Sequence, residues 1–292
     1  MHRIPVALAI LVATVGTGLG ALRYQDALNS GRTWHSVVET ARDSGGEGGS
    51  GDVFDPATIA DLPEPVRRYF AFTLAEGTAI PPGVRIEMTG TVAPGPDAAP
   101  MTMEASQILA LPHGFVWSAE AGSGLAHLSG SDALVNGVSW SRFWSFWLLP
   151  VGRAGGSEDH WRSAFGRMVA EAAFWSPASL LPRKGIDWTA PDAGAIRATV
   201  THRGIAQSVD IFLSDDGAPV RVEIDRWSDT DGDGAFAIRR FGGTLADFET
   251  VDGITVPMRV EGGYGIGTPG YVPTYRAQVT ALDWIETGDD HR

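Results

Sequence analysis

The stretch Ile196-Arg-Ala-Thr-Val-Thr-His-Arg-Gly-Ile-Ala-Gln-Ser-Val-Asp-Ile-Phe-Leu-Ser-Asp-Asp-Gly217 decides the fold. It reads as two strands, Ile196 to Thr201 and Ile205 to Leu213, joined at Arg203-Gly204 and closed by the turn Asp215-Asp216-Gly217. Downstream the pattern continues. Val220 to Trp227 turns at Asp229 to Gly234, Phe236 to Phe248 turns at Asp252-Gly253, and Ile254 to Tyr264 and Tyr275 to Ile285 complete the series. Turns of the Asp-Gly type, recurring at roughly 8–12 residues, mark an antiparallel meander.

Upstream the same period begins after Pro81-Pro82, where Val84, Ile86, Met88 and Val92 alternate with Arg85, Glu87, Thr89 and Thr91. Met101 to Leu111 and Phe115 to Ala121 follow around Pro112-His113-Gly114, and Leu125 to Asn136 is a further strand or strand pair. Helices are few and grouped. Asp55-Pro56 starts one, and Pro63 or Glu64 starts another, with Val66, Tyr69, Phe70 and Thr73 or Leu74 on one face and Gly77 at its end. Ser157 or Glu158 caps a third, running to Trp175 before Ser176-Pro177. The predicted class is α+β: a large curved antiparallel sheet with a few helices on its concave face.

Between these elements lies Val138-Ser-Trp-Ser-Arg-Phe-Trp-Ser-Phe-Trp-Leu-Leu149, with five rings in eight residues. Trp140, Phe143, Trp144 and Trp147 fit one helical face, while Ser139, Ser141 and Ser145 keep the other side small. So much ring surface fills a core, lines an apolar cavity or touches a membrane interface.

Composition narrows the rest. The 37 glycines and 18 prolines of the 292 residues suit turns and short strands. A net charge of −13, with no basic cluster, excludes a nucleic-acid partner. Without cysteine there is no disulfide, thiolate metal site, cysteine nucleophile or lipidated cysteine. Gly265-Ile-Gly-Thr-Pro-Gly270 spells a dinucleotide motif, but Pro269 and Pro273 forbid the helix that must follow, leaving a glycine-rich β loop. Asp229-Thr-Asp-Gly-Asp-Gly234 resembles half a calcium loop. Its twelfth position is Arg240, so a solvated turn is the reading and a weak calcium site the alternative. The histidines form no metal or catalytic motif: His160 reads as part of a helix start, and His127 and His202 are set aside as ligands or bases. Neither a metal nor a cofactor is expected.

Met1-His-Arg3 precedes an apolar stretch, Ile4 to Leu22, close to the roughly 20 residues that span a bilayer. It reads as a signal anchor with the remainder outside the cytoplasm, the alternatives being a cleaved signal peptide or a buried helix. Gly16 and Gly20 form a GxxxG through which two such helices could pair as a homodimer, or a chance match in a glycine-rich chain. Residues 1–23 are thus the anchor or signal, 24–53 a polar helix and Gly/Ser-rich linker, and 54–292 a single extracytoplasmic domain.

Leu62-Pro-Glu-Pro-Val-Arg-Arg-Tyr69, Ala170-Glu-Ala-Ala-Phe-Trp-Ser-Pro-Ala-Ser-Leu-Leu-Pro182 and Asp247-Phe-Glu-Thr-Val-Asp-Gly-Ile-Thr-Val-Pro257 resemble a family of uncharacterised bacterial proteins that share LPEPVRRY, WxPxALLP and VDGxxVP motifs. That resemblance implies no activity. In hairpin order and location the chain is also similar to the LolA/LolB-like lipoprotein-carrier fold, which implies an aromatic-rich cavity for acyl chains. The first functional expectation is non-catalytic binding of a lipid or acyl chain, with Trp117, Trp140, Phe143, Trp144, Trp147 and Trp175 lining or gating the cavity. The alternatives are an envelope scaffold with a filled core, and a hydrolase whose site is not legible in the sequence.

Overall fold

The computed structural model describes residues 3–45, 52–95, 97–229 and 234–286, and within the first helix, α1 (Arg3–Gly45), it describes side chains from residue 13 to residue 43. Among the described residues thirteen strands form one curved antiparallel sheet. β1 (Val84–Val92), β2 (Met101–Ala110), β3 (Gly114–Ala121), β4 (Leu128–Val135), β5 (Val138–Ser145) and β6 (Leu149–Gly155) meander outward to one edge. Helix α3 (Glu158–Trp175) then crosses the concave face to the opposite edge. From there β7 (Ile186–Asp192), β8 (Ala195–His202), β9 (Ile205–Leu213), β10 (Pro219–Ser228), β11 (Ala237–Val251), β12 (Ile254–Tyr264) and β13 (Tyr275–Trp284) meander back, until β13 pairs with β1.

The concave face carries the main core. Val84, Ile86 and Met88 of β1 point into it, as their alternation predicts. Helix α2 (Glu64–Thr73) adds Val66, Tyr69 and Phe70, and Tyr69 Oη donates to Ala173 O of α3 at 2.8 Å. α2 stops short of Gly77, because Leu74 is extended, buried and bridged to Ile254 of β12. Asp55 caps only a single 3₁₀ turn, Pro56–Ile59, accepting from Ala57 N. Ser157 caps α3 as expected, accepting from His160 N at 3.1 Å. α3 comes close to the sheet at Gly166, where an added Cβ would sit 2.9 Å from Gln207 Oε1.

The largest correction concerns the rings from Trp140 to Trp147, which lie in the hairpin β5–β6 and not in a helix. Rings at 140, 143, 144 and 147 satisfy helical spacing, yet Ser139-Trp-Ser-Arg-Phe alternates as well, and pairing with β4 selects the strand. In a strand the rings divide between two faces. Trp140, Arg142 and Trp144 point outward; Ser139, Ser141 and Phe143 point inward.

Helix α1 (Arg3–Gly45) runs unbroken and packs on the outer, convex face against β2, β3 and β4. Val37, Val38 and Ala41 form a second core with Ile108, Ala110, Val116, Ala133, Trp140 and Ile285. Farther back, Asp26 is clasped by Arg153, by Arg142 at 3.4 Å and by Trp144 Nε1 at 3.1 Å. Among the described residues no helix is long and apolar enough to cross a membrane. The side chains of Ile4 to Val12, about half of the apolar stretch, lie outside the described set.

Candidate functional site

Four side chains from three segments, α3, β2 and β4, meet between α3 and the sheet. Arg167 of α3 donates from Nε to Glu171 Oε1 and from Nη1 to Asp132 Oδ2 of β4, each at 2.6 Å. Gln107 of β2 donates to Glu171 Oε2 at 2.6 Å and accepts from Arg167 Nη2 at 3.4 Å. Burial opposes the charge on Arg167, but Glu171 and Asp132 outweigh it and hold the guanidinium more firmly protonated than usual. The guanidinium also lies over the rings of Phe115 and Trp117, at 5.0 and 5.3 Å. One cation against two carboxylates, with an amide that both donates and accepts, is a connected network that fixes α3 over the sheet.

The network extends to the start of α3. Ser141 Oγ donates to Asp132 Oδ1 at 2.7 Å and lies 3.2 Å from His160 Nε2, while Ser139 Oγ lies 2.8 Å from His160 Nδ1. Burial lowers the His160 pKa, partly offset by Asp132. Both ring nitrogens are taken by serines of β5, so His160 pins α3 to that strand.

Beside Arg167 the core opens into a cavity of about 230 Å³. Trp117, Phe174, Trp175, Phe241 and Tyr275 supply its rings and Val92, Val222 and Val260 its aliphatic wall. Burial raises the Tyr275 phenol well above its ordinary value, and its Oη donates to Met88 Sδ, so it stays protonated. The space exists because β11 and β12 meet there through Gly243 opposite Gly262. At Gly262 an added Cβ would come no nearer than 3.5 Å to any other atom, so a side chain there would enter free space. At the polar end, Arg226 of β10 lies 4.9 Å from the Phe241 ring centre, and its Nε is buried without a hydrogen-bond partner among the described residues.

The six rings singled out in sequence fall into three places. Trp117 and Trp175 line this cavity, and Phe143 packs beside Trp117 with centroids 6.3 Å apart. Trp140 and Trp144 sit on the outer face under α1, where Trp140 Nε1 donates to Ser131 and Trp144 borders a groove of about 530 Å³ with Asp26, Ser30 and Glu120. Trp147 is exposed in the β5–β6 turn and stacks on His127 at 4.3 Å. His127 therefore faces Trp147 and Glu120, and it is Arg167, Ser141 and His160 that surround Asp132. Sequence reasoning missed Asp132, Arg167, Glu171 and Gln107; only the i, i+4 spacing of Arg167 and Glu171 signalled a pair.

Gly265 to Gly270 form a loop between β12 and β13 with no helix after it. Residues 230–233 of the candidate calcium loop lie outside the described residues, and among those described no three histidines or carboxylates gather as a metal site. Gly16 and Gly20 have no other part of the chain within 4 Å of an added Cβ.

The chain belongs to the family of unknown function DUF6544, whose profile matches residues 52–275. No curated protein matches it. Among solved structures it is similar to a LolA superfamily protein from Nitrosomonas europaea, at 10% identity over 69% of this chain and 86% of that one, with a TM-score of 0.38. It is also similar to a putative outer membrane lipoprotein-sorting protein domain from Vibrio parahaemolyticus, at 11% identity over 72% of this chain and 87% of that one, with a TM-score of 0.37.

Proposed function

We propose, since membership of DUF6544 assigns no activity, that this protein binds an amphipathic ligand non-covalently: an acyl or comparable apolar chain with an anionic head. The observation that carries the reading is the cavity beside Arg167, ringed by Trp117, Phe174, Trp175, Phe241 and Tyr275 and left open by Gly243 and Gly262. Each methylene buried there contributes about 0.8 kcal/mol. Arg167 is already balanced by two carboxylates, so the cation that offers the cavity an unpartnered donor, among the described residues, is Arg226. A charge-assisted hydrogen bond from it contributes about 1.5–3 kcal/mol. At about 230 Å³ the space is below the roughly 300–1,000 Å³ of common ligand sites, which fits one short chain and not a two-chain lipid.

We further propose that Ile4–Leu22 anchors the domain to a membrane with the sheet on the non-cytoplasmic side. The support is the length of the apolar stretch, Arg3 before it, and a helix that continues without a break into the docked part of α1.

The test is mass spectrometry of solvent extracts from the purified full-length protein, with Gly262→Leu beside it. A stoichiometric amphiphile in the parent, reduced at least tenfold in Gly262→Leu at unchanged circular dichroism, supports the reading. A parent reproducibly free of such a molecule, or equal loading in the variant, overturns it.

A further inference from the structure

Phe146-Trp147-Leu148-Leu149, at the tip of the β5–β6 hairpin, are four consecutive apolar residues exposed to 44%, 53%, 36% and 48%. Val151 beside them on the edge strand β6 is 58% exposed. Surface apolar residues are ordinary singly, but a contiguous run marks an interaction surface. Phe146 and Trp147 also hold left-handed backbone, with φ of 50° and 58°. That conformation strains a large side chain and is the usual place for glycine or asparagine. The rings do not repay the strain by filling the core: Trp147 stacks on His127, the planes 15° apart, and stays more than half exposed.

The direction of α1 identifies what covers this tip. Val37, Val38 and Ala41 lie over Trp140 and the neighbouring ends of β2–β4, whereas Asp26 lies at Trp144. Between residues 37 and 26 the helix advances about 16 Å, and between Trp140 and Trp144 the strand advances about 13 Å. Followed toward its N-terminus, then, α1 runs along β5 toward the hairpin tip. Just beyond Asp26 begins the apolar stretch that ends at Leu22. The exposed rings and the apolar helix therefore leave the domain at the same end. The tip is not a charged patch, because Arg142 and Arg153, the nearest cations on the hairpin, are both held by Asp26. With a net charge of −13 the chain has no electrostatic attraction to an anionic surface.

We propose that the β5–β6 tip, Phe146 to Leu149, rests in the interfacial layer of the membrane that holds Ile4–Leu22, giving the domain a second contact that fixes its orientation on the bilayer. Aromatic rings favour that layer, where an apolar body and a polar edge are both accommodated. The inference rests on the anchor reading and is independent of the cavity.

The chain has no cysteine, so single replacements accept one label each. Full-length Leu148→Cys and Val138→Cys, the latter at the other end of β5 and 55% exposed, are labelled with an environment-sensitive fluorophore and reconstituted into phosphatidylcholine vesicles. The expected result is blue-shifted emission at 148, quenching by nitroxide-bearing lipid, and at least fivefold weaker quenching by aqueous iodide than at 138. Equal iodide quenching at both sites in protein that floats with the vesicles overturns the proposal while the anchor stands. Protein that does not float overturns the anchor and the proposal with it.

Discussion

Replacing Arg167 with methionine tests whether the buried network holds the structure together through charge. Methionine keeps most of the stem that packs over Phe115 and Trp117 but deletes the guanidinium. The side chains of Arg167, Asp132 and Glu171 are only 14%, 15% and 14% exposed, so little solvent screening softens the loss. Two hydrogen bonds to carboxylates at about 1.5–3 kcal/mol each disappear, together with the longer one to Gln107. Two carboxylates then remain in one enclosed site without their cation. Breaking a buried pair from one side costs about 3–5 kcal/mol, so both routes lead to about 4 kcal/mol, near a thousandfold in the folding constant.

The assay is urea unfolding followed by tryptophan fluorescence, with the midpoint falling and the slope unchanged. A companion variant separates charge from shape. Arg167→Met combined with Asp132→Asn and Glu171→Gln carries no charge in the network, and is expected to recover more than half of the loss. A single variant that loses less than about 1 kcal/mol would show that water already screens the network. A triple variant no better than the single one would show that packing, not charge, was lost.

His160 gives a pH dependence. Its pKa is lower folded than unfolded, so its contribution is complete above the unfolded value near 6.5 and is lost as pH falls through the lower folded value. The urea midpoint should drop between pH 7.5 and 5.5, and drop less in His160→Gln; an identical drop would clear His160, leaving His202, which burial also lowers. Asp26→Ala leaves Arg142 and Arg153 without their carboxylate, so amide exchange over residues 23–41 should quicken about a hundredfold while the strands stay protected. Unchanged exchange there would mean that Val37, Val38 and Ala41 dock α1 unaided. Trp147→Asn, which suits left-handed backbone, should hold or raise the unfolding midpoint, and a fall of more than about 1 kcal/mol would mean that stacking on His127 is structural.

Local signals found the parts of this fold that are decided locally. The alternation of Val84, Ile86 and Met88 placed β1, Arg203-Gly204 placed the β8–β9 hairpin and the Asp-Gly turns those from β9 to β12, and Ser157 placed the start of α3. These depend on side-chain period and turn chemistry, which neighbouring residues carry. The docking of α1 depends on what lies across from it. Asp26 reads as one more polar residue until Arg142, Arg153 and Trp144 arrive from more than a hundred residues away. The network beneath α3 likewise draws on β2, β4 and α3, and only Arg167 and Glu171 are close enough in sequence to be read together.

The aromatic run shows how a correct composition and a wrong period combine. As a helix, its rings would form one stripe with one role. As a strand it has two faces and a turn, and each takes different rings. Phe143 goes inward to Trp117 at the cavity, Trp140 and Trp144 go outward to receive α1, and Phe146 and Trp147 occupy the turn. The serines were the deciding clue. Ser139 and Ser141 are small because His160 and Asp132 must reach the inner face of β5, which a ring at either position would block. The cavity therefore takes its rings from four segments, Trp117 of β3, Phe174 and Trp175 of α3, Phe241 of β11 and Tyr275 of β13, and this convergence is invisible until the sheet has curled.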